Sequence, residues 1–302
     1  MLNELKLLFT GASGFLGKNL LPILNETYNV RTLGLTEKDD YNINIANETP
    51  IFTESFDLVL HAAGKAHSVP KSEKEKKVFF DVNLQGTKNL CIALEKSGVP
   101  KSFIYISSVA VYGLDYGEGI TEEYPLNGNT PYGLSKIQAE FFLIEWCKKN
   151  DVILGIIRPS LIAGPNPPGN LGEMIRGIKT GKYFHIEGRD ACKSVLMVKD
   201  IAVLLPLLAE KGGIYNVCDT QQPSFSDLEK LIALQLGKSL PISISYDFAK
   251  KISYIGDFLG KKFPINSFKL KKITKSLTFS NEKARRELGW KPTNVLDNFK
   301  IK

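Results

Sequence analysis

This chain of 302 residues has few cysteines, few histidines and no long apolar run. Its four cysteines, Cys91, Cys147, Cys192 and Cys218, are scattered, and none forms a Cys-x-x-Cys pair. The three histidines, His61, His67 and His185, show no ligand spacing with them. Such a set argues against a disulfide scaffold and against a structural metal, so free thiols in a reducing compartment are expected. The longest nearly apolar run, residues 201–209, carries Pro206 and falls far short of the ~18 residues a membrane helix needs. There is no basic n-region and no cleavage-site signature, and a cytoplasmic protein is expected. Aromatic-basic interleaving typical of nucleic-acid surfaces is also missing. The net charge of +7 suits small anionic ligands instead.

What is there is an alternation of periods. Leu5 to Phe9 is apolar, a helical pattern follows at Leu16, Leu20, Ile23 and Leu24, and Val30 to Leu35 reads as a second strand. Phe56–Leu60 and Phe103–Ile106 are further strands, and Val152–Ile157 is continuous enough in apolar character to be buried on both faces. Lys74–Ser97 predicts one long helix stopped by Gly98 and Pro100, and Tyr132–Lys149 another. Strands alternating with helices predict an α/β fold: a doubly wound parallel sheet of βαβ units. The stretch Gly164-Pro165-Asn166-Pro167-Pro168-Gly169 is a break, with shorter, mixed elements beyond it. Residues 1–163 therefore form one domain, to which the region around 194–218 returns a strand. Residues 164–193 and 219–302 form a smaller mixed α/β lobe.

Gly11, Gly14 and Gly17 fall between the first strand and its helix, as G-x-x-G-x-x-G. At that junction glycines permit a tight turn, close backbone approach to a pyrophosphate and close helix–strand packing, while the helix N-terminus offers amides to phosphate. The loop predicts a dinucleotide site. No Asp, Glu or Arg stands at Gly34, where the second strand should end, so NAD and NADP both stay open.

Tyr132 and Lys136 are four residues apart and share a helix face, with Thr130 as N-cap and Pro131 at the first helical position. A lysine beside a phenol favours phenolate, which predicts a Tyr132 that exchanges its proton below the usual value of about 10. Alone, such a pair is weak, and a solvated helix face is much the commoner reading.

The ordered set Gly11/Gly14/Gly17, His61-Ala62-Ala63-Gly64, Asn83-Leu84-Gln85-Gly86-Thr87, Ser107-Ser108-Val109-Ala110-Val111-Tyr112-Gly113, Pro131-Tyr132-Gly133-Leu134-Ser135-Lys136 and Arg158-Pro159 resembles the extended short-chain dehydrogenase/reductase superfamily. More narrowly it resembles the NAD-dependent epimerase/dehydratase family of nucleotide-sugar enzymes, and residues 281–292 fit that family's C-terminal end. The resemblance implies a Rossmann-type domain with a substrate lobe. It implies Ser108, Tyr132 and Lys136 as catalytic groups. The cofactor, NAD or NADP, would be held by Gly11, Ser13, Gly14, Phe15, Leu16, Gly17, Asn44, Ile45, Ala62, Ala63, Gly64 and Asn83, together with Tyr132 and Lys136. Tyr132 would move a proton by general acid–base catalysis while Ser108 orients the same oxygen. Ser108-Val109-Ala110 lacks the Thr-Asp-Glu cluster of the family's dehydratases, so 4,6-dehydration is not expected. Many 4-epimerases carry an asparagine after the arginine; here Pro159-Ser160-Leu161 stands instead.

In the second lobe Asn170 and Lys193 are candidates for binding a substrate diphosphate, alongside Ser108 at the sugar. Phe248, Ile252, Ile255 and Leu259 make one helix stripe among Lys250, Lys251, Lys261 and Lys262, with more lysines at 269, 271, 272 and 275. The plain reading is a core-facing stripe with a solvated basic face; the sharper one is diphosphate capture or contact with an anionic membrane surface. The leading function is a nucleotide-sugar 4-epimerase, expected to act at C4 of a UDP-sugar in surface-polysaccharide precursor synthesis. The alternatives are an NADPH-dependent reductase of a UDP-4-keto-6-deoxy sugar and a non-catalytic dinucleotide sensor. Family habit implies a homodimer, with no nucleic-acid partner.

Overall fold

The computed structural model describes residues 5–66, 68–259 and 265–301. His67, Lys261 and Lys262 lie outside them. In chain order the strands are β1 (Lys6–Thr10), β2 (Asn29–Gly34), β3 (Tyr41–Asn42), β4 (Leu58–His61), β5 (Ser102–Ile106), β6 (Gly117–Ile120), β7 (Ile153–Pro159), β8 (Leu161–Ala163), β9 (Phe184–Ile186), β10 (Val195–Met197), β11 (Gly213–Val217), β12 (Ile242–Ile244) and β13 (Leu277–Phe279). The helices are α1 (Phe15–Asn25), α2 (Glu73–Phe80), α3 (Gly86–Ser97), α4 (Pro131–Lys149), α5 (Gly169–Lys179), α6 (Asp200–Lys211), α7 (Phe225–Gln235), α8 (Tyr246–Leu259), α9 (Ser267–Thr274), α10 (Glu282–Leu288) and α11 (Val295–Asn298).

Seven strands form one parallel sheet in the order β11-β7-β5-β4-β1-β2-β3. Parallel strands are buried on both faces, which is why Leu7, Leu8 and Phe9 are all fully enclosed. Successive residues feed opposite cores. Leu7 and Phe9 join Leu60, Ile104 and α6 residues such as Leu204 and Leu208 on one face. Leu8 joins Val59, Phe103, Leu90, Leu143 and Trp146 on the other. The order reverses between β1 and β4, and in such sheets ligands bind at the carboxyl ends beside that reversal. Thr10, His61 and Ile106 therefore mark the site's floor.

The helix expected over 74–97 is α2 and α3 joined by a π-helical turn at Asp81–Gln85. That extra residue in the turn rotates Asn83 inward, and π turns are frequent at functional sites. Beyond β7, a smaller core of Leu171, Met174, Leu228, Ile232 and Phe299 holds the second lobe together. Two-stranded parallel pairs β9·β12 and β6·β13 edge it. Among the described residues no helix is long and apolar enough to cross a membrane, and no cluster of His, Cys, Asp and Glu has metal-binding form.

The α8 stripe is turned the other way from its plain reading. Ala249, Ser253 and Gly256 are buried, while Phe248 and Ile255 are each 54% exposed and Ile252 is half-buried. The small residues win the inward face because they let α8 approach α9 closely, which bulky side chains would prevent.

Candidate active site

The glycine loop closes over the sheet's carboxyl edge. Gly11 has φ +80°, and a Cβ there would lie 2.7 Å from the Ala63 amide nitrogen, so the loop and the Ala62-Ala63 segment touch backbone to backbone. A Cβ on Gly17 would collide with the Ala12 carbonyl, so this glycine seats α1 against the loop. A Cβ on Gly14 would meet only the Gly11 carbonyl oxygen, at 3.3 Å, which leaves its other side open. Helix α1 starts at Gly14 with no side-chain cap and no acidic residue in its first turn. By contrast α2, α4, α7 and α9 are capped by Ser72, Thr130, Ser224 and Asn266. Open backbone amides at a helix start, on an open glycine, fit a dinucleotide pyrophosphate. Ser13 is half-buried there, Gly14 is exposed, and Phe15 and Leu16 open the helix.

The end of β2 differs from the sequence reading. No acid follows Gly34 directly, yet the Asp39 carboxylate folds back against it, 2.5 Å from where a Gly34 Cβ would be. Asp39 is fixed there by accepting from the Thr36 amide (3.0 Å) and hydroxyl (2.6 Å). A carboxylate is thus present at the end of β2, five residues after Gly34. Ile45 is buried, its carbonyl accepts from Asn89 Nδ2 (2.7 Å), and Asn44 is exposed and caps a local turn through Ala46 N (3.2 Å).

A hydrogen-bond chain the sequence reading missed runs beneath this edge. Ala63 N donates to Thr10 Oγ1 (3.1 Å), which lies 2.6 Å from His61 Nδ1. His61 Nε2 lies 2.9 Å from Thr87 Oγ1, which itself donates to the Asn83 carbonyl (2.7 Å). Thr87 has spent its proton, so Nε2 is the protonated nitrogen and Thr10 donates to Nδ1. Burial, helped by the Lys136 charge, pushes His61 down to about 3, so it stays neutral. Asn83 then continues upward: its Oδ1 accepts from Lys65 N (2.7 Å) and its Nδ2 donates to Ser135 Oγ (2.8 Å). It thereby pins the loop after β4 to α4.

Helix α4 begins as expected, with Thr130 Oγ1 accepting from Gly133 N at 3.0 Å and Pro131 at the first position. Tyr132 and Lys136 share its face toward the sheet. Lys136 Nζ donates to the Ile106 carbonyl (2.8 Å), sits 4.5 Å from the Tyr105 ring centroid, and is 3.3 Å from a Cβ position on Gly64. Ser108 caps the 3₁₀ turn at Val109–Tyr112 by accepting from Ala110 N (3.1 Å), and its hydroxyl hydrogen-bonds the Tyr132 phenol. Ser108, Tyr132 and Lys136 are therefore together, with Asn83 and Gly64 alongside.

The proton energetics correct the expectation for Tyr132. Burial raises the phenol above its ordinary value, and the Ser108 hydrogen bond only partly reverses this. Tyr132 keeps some solvent exposure, but protein atoms crowd its hydroxyl. Burial also pulls Lys136 down to about 7, against the opposing pull of Glu140. In the protein alone, desolvation outweighs the lysine's attraction for phenolate, and the phenol holds its proton.

Glu140, one turn beyond Lys136, is 1% exposed and forms a two-point ion pair with Arg158, 3% exposed, at 2.6 and 3.1 Å. Ser107 Oγ also donates to Glu140. Arg158 Nη1 donates to Tyr112 OH (3.0 Å), which donates to Asn216 Oδ1 (2.7 Å). The adjacent serines thus split: Ser108 faces the phenol, and Ser107 anchors the charge network under Lys136. In the second lobe, Asn170 is exposed at the start of α5. Lys193 is half-buried, donates to the Lys275 carbonyl (2.9 Å), and is lowered to about 8 by burial and by Lys272.

Comparison with known proteins agrees with this geometry. The chain is 31% identical over 295 residues to an N-acetyl-alpha-D-glucosaminyl-diphospho-ditrans,octacis-undecaprenol 4-epimerase of Escherichia coli O157:H7, covering 91% of this chain and 87% of the relative. It is 28% identical to a UDP-glucose 4-epimerase of Vibrio cholerae, covering 96% and 92%. A solved structure of RMD from Pseudomonas aeruginosa complexed with NADPH superposes with a TM-score of 0.73 at 25% identity, covering 98% of this chain and 96% of that one. Residues 7–218 match the family model for the NAD dependent epimerase/dehydratase family. With a Rossmann sheet, a glycine loop and a Ser108/Tyr132/Lys136 cluster at its carboxyl edge, the chain belongs to that family of NAD(P)-dependent enzymes.

Proposed function

We propose that this chain is a C4 epimerase of diphosphate-linked hexoses, with a nucleotide-diphospho-sugar as substrate. The observation that carries the reading is the meeting of Ser108, Tyr132 and Lys136 beside Gly64 at the sheet's switch point. The dinucleotide, when bound, takes up and returns the hydride at the sugar carbon. Tyr132 must first give up the proton that burial holds on it in the protein alone; as phenolate it accepts the proton of the C4 hydroxyl and gives it back to the C4 ketone. Ser108 hydrogen-bonds the same oxygen and fixes its position. Lys136 holds the nicotinamide ribose, and its charge is steadied by Glu140. The glycines 11, 14 and 17, with Ser13, Phe15 and Leu16, hold the pyrophosphate; Asn44, Ile45 and Asp39 border the adenosine; Ala62, Ala63, Gly64 and Asn83 border the nicotinamide side. Residues 1–163 with 194–218 are the dinucleotide domain. The remaining lobe receives the substrate, with Asn170 and Lys193 at its diphosphate. The lipid-diphosphate sugar named for the E. coli relative supports a place in surface-polysaccharide precursor synthesis.

A 4-keto reductase using external NADPH would employ the same residues. Asp39 favours the epimerase, because a carboxylate at the ribose repels a 2′-phosphate. The test is to identify by mass spectrometry the dinucleotide that co-purifies, and to assay UDP-hexose interconversion with none added. Retained NAD and turnover support the epimerase. Turnover only with stoichiometric NADPH would establish the reductase. Assembly as a homodimer is checked by light scattering on the same preparation.

A further inference from the structure

We propose that the outer face of α8 and α9 docks on an anionic lipid surface. Helical geometry, at about 100° per residue, puts Phe248, Lys251, Ile255 and Phe258 on one arc of roughly 80°. Phe258 is 92% exposed, Phe248 and Ile255 54%, and Phe268 of α9 57%. These side chains stand outward while Ala249, Ser253 and Gly256 take the inward face. A soluble surface rarely gathers aromatics this way unless something covers them.

Charge says what covers them. Among the described residues between 246 and 275 there are six lysines and two aspartates, a net of +4 in a chain whose total is +7. Among the described residues, Lys250 and Lys251 are exposed beside the aromatics, and Lys272 Nζ sits 4.3 Å from the Phe268 ring centroid. Asp257 is occupied by Ser267, at 3.0 Å from its amide. A second copy of this chain would bring two such lysine clusters face to face, and protein interfaces are depleted of lysine at their centres. A bilayer with anionic headgroups accepts both components, aromatics at the headgroup boundary and lysines at the phosphates. The face is also tied to the candidate diphosphate residue, since Lys193 Nζ donates to the Lys275 carbonyl. A substrate diphosphate at the membrane surface would thus lie on the docked side of the lobe.

The docking does not depend on the sugar chemistry, so an inactive protein still tests it. The full chain is sedimented with phosphatidylcholine vesicles with and without phosphatidylglycerol. The expected result is binding to the anionic vesicles alone, weakened by salt. Reversing two lysines in K250E/K251E should weaken binding roughly thirtyfold or more, from about 1 kcal/mol per basic residue near the surface. The same charge change at the far end of α4, K148E/K149E, should weaken it less than threefold. Replacing the exposed aromatics in F248S/F258S should weaken it while leaving the thermal melt in place. Absence of binding, equal loss in both lysine variants, or a dimer dissolved by F248S/F258S without vesicle binding would each overturn the proposal.

Discussion

Glu140→Gln changes almost no shape and removes one buried charge. The carboxylate accepts from Arg158 Nε and Nη2 and from Ser107 Oγ, at 1% exposure. A glutamine retains one acceptor oxygen and sets an NH₂ group against another donor. Arg158, 3% exposed, keeps its charge and its contacts to Tyr112 OH and the Glu122 carbonyl, but has no anion. Breaking one side of a buried pair costs about 3–5 kcal/mol, a large part of the ~5–15 kcal/mol that holds a domain folded. The surviving Arg158 contacts place the cost near the lower end, about 3 kcal/mol. For an m-value of about 3 kcal/mol/M, the urea midpoint followed by circular dichroism should fall by about 1 M with m unchanged. Lys136 should also fall below about 7, since Glu140 is the charge that raises it. In the double variant E140L/R158L the two apolar groups leave no orphaned charge, so its loss should be well below the sum of the single losses. A glutamine variant within ~0.5 kcal/mol of wild type, or additive losses in the double variant, would refute the argument that this pair is a coupled unit.

Tyr132→Phe should lower kcat by about 10²–10⁴-fold and leave dinucleotide binding intact; equal turnover would remove Tyr132 from the proton step. Asp39→Asn keeps acceptors for Thr36 but loses the charge, so the ratio of NADP to NAD affinity in calorimetric titration should rise roughly tenfold, and an unchanged ratio would show that Asp39 does not read the ribose. Lys136 titrates near 7 in the fold against 10.5 free. Between these values the unfolded chain binds the extra proton, so the Lys136 contribution is present above about 10.5 and lost as pH falls through about 7. The stability of wild type relative to Lys136→Met, from urea melts, should therefore rise with pH across that window, and a flat or falling difference would contradict a desolvated lysine.

The sheet and the Tyr132/Lys136 pair were legible because they rest on local signals, whereas Ser108 was marked only by the family resemblance. Continuous apolar strands, a glycine loop at the first junction, and a Thr-Pro helix start each act within a few residues. What escaped depended on distance or on small residues. Asp39 reaches Gly34 only because Thr36 turns the chain back, a contact no motif position marks. The π turn that aims Asn83 inward looks, in sequence, like uninterrupted helix. Glu140 sits four residues after Lys136 on α4, a spacing open to reading, but its partner Arg158 arrives from strand β7. Tyr132 was expected to ionise easily from one neighbour's charge, whereas burial by the whole fold sets the sign. The α8 stripe was read from its large residues, while the packing followed Ala249, Ser253 and Gly256.

The central claim is that hydride leaves and rejoins C4 of the same sugar under the control of Tyr132. It is tested by turning over a UDP-hexose deuterated at C4 with excess unlabelled dinucleotide and locating the label by mass spectrometry and NMR. Deuterium kept at C4 of the epimer, without exchange into the dinucleotide pool, is the expected result. Deuterium passed into the pool, or interconversion that leaves C4 untouched, would contradict it.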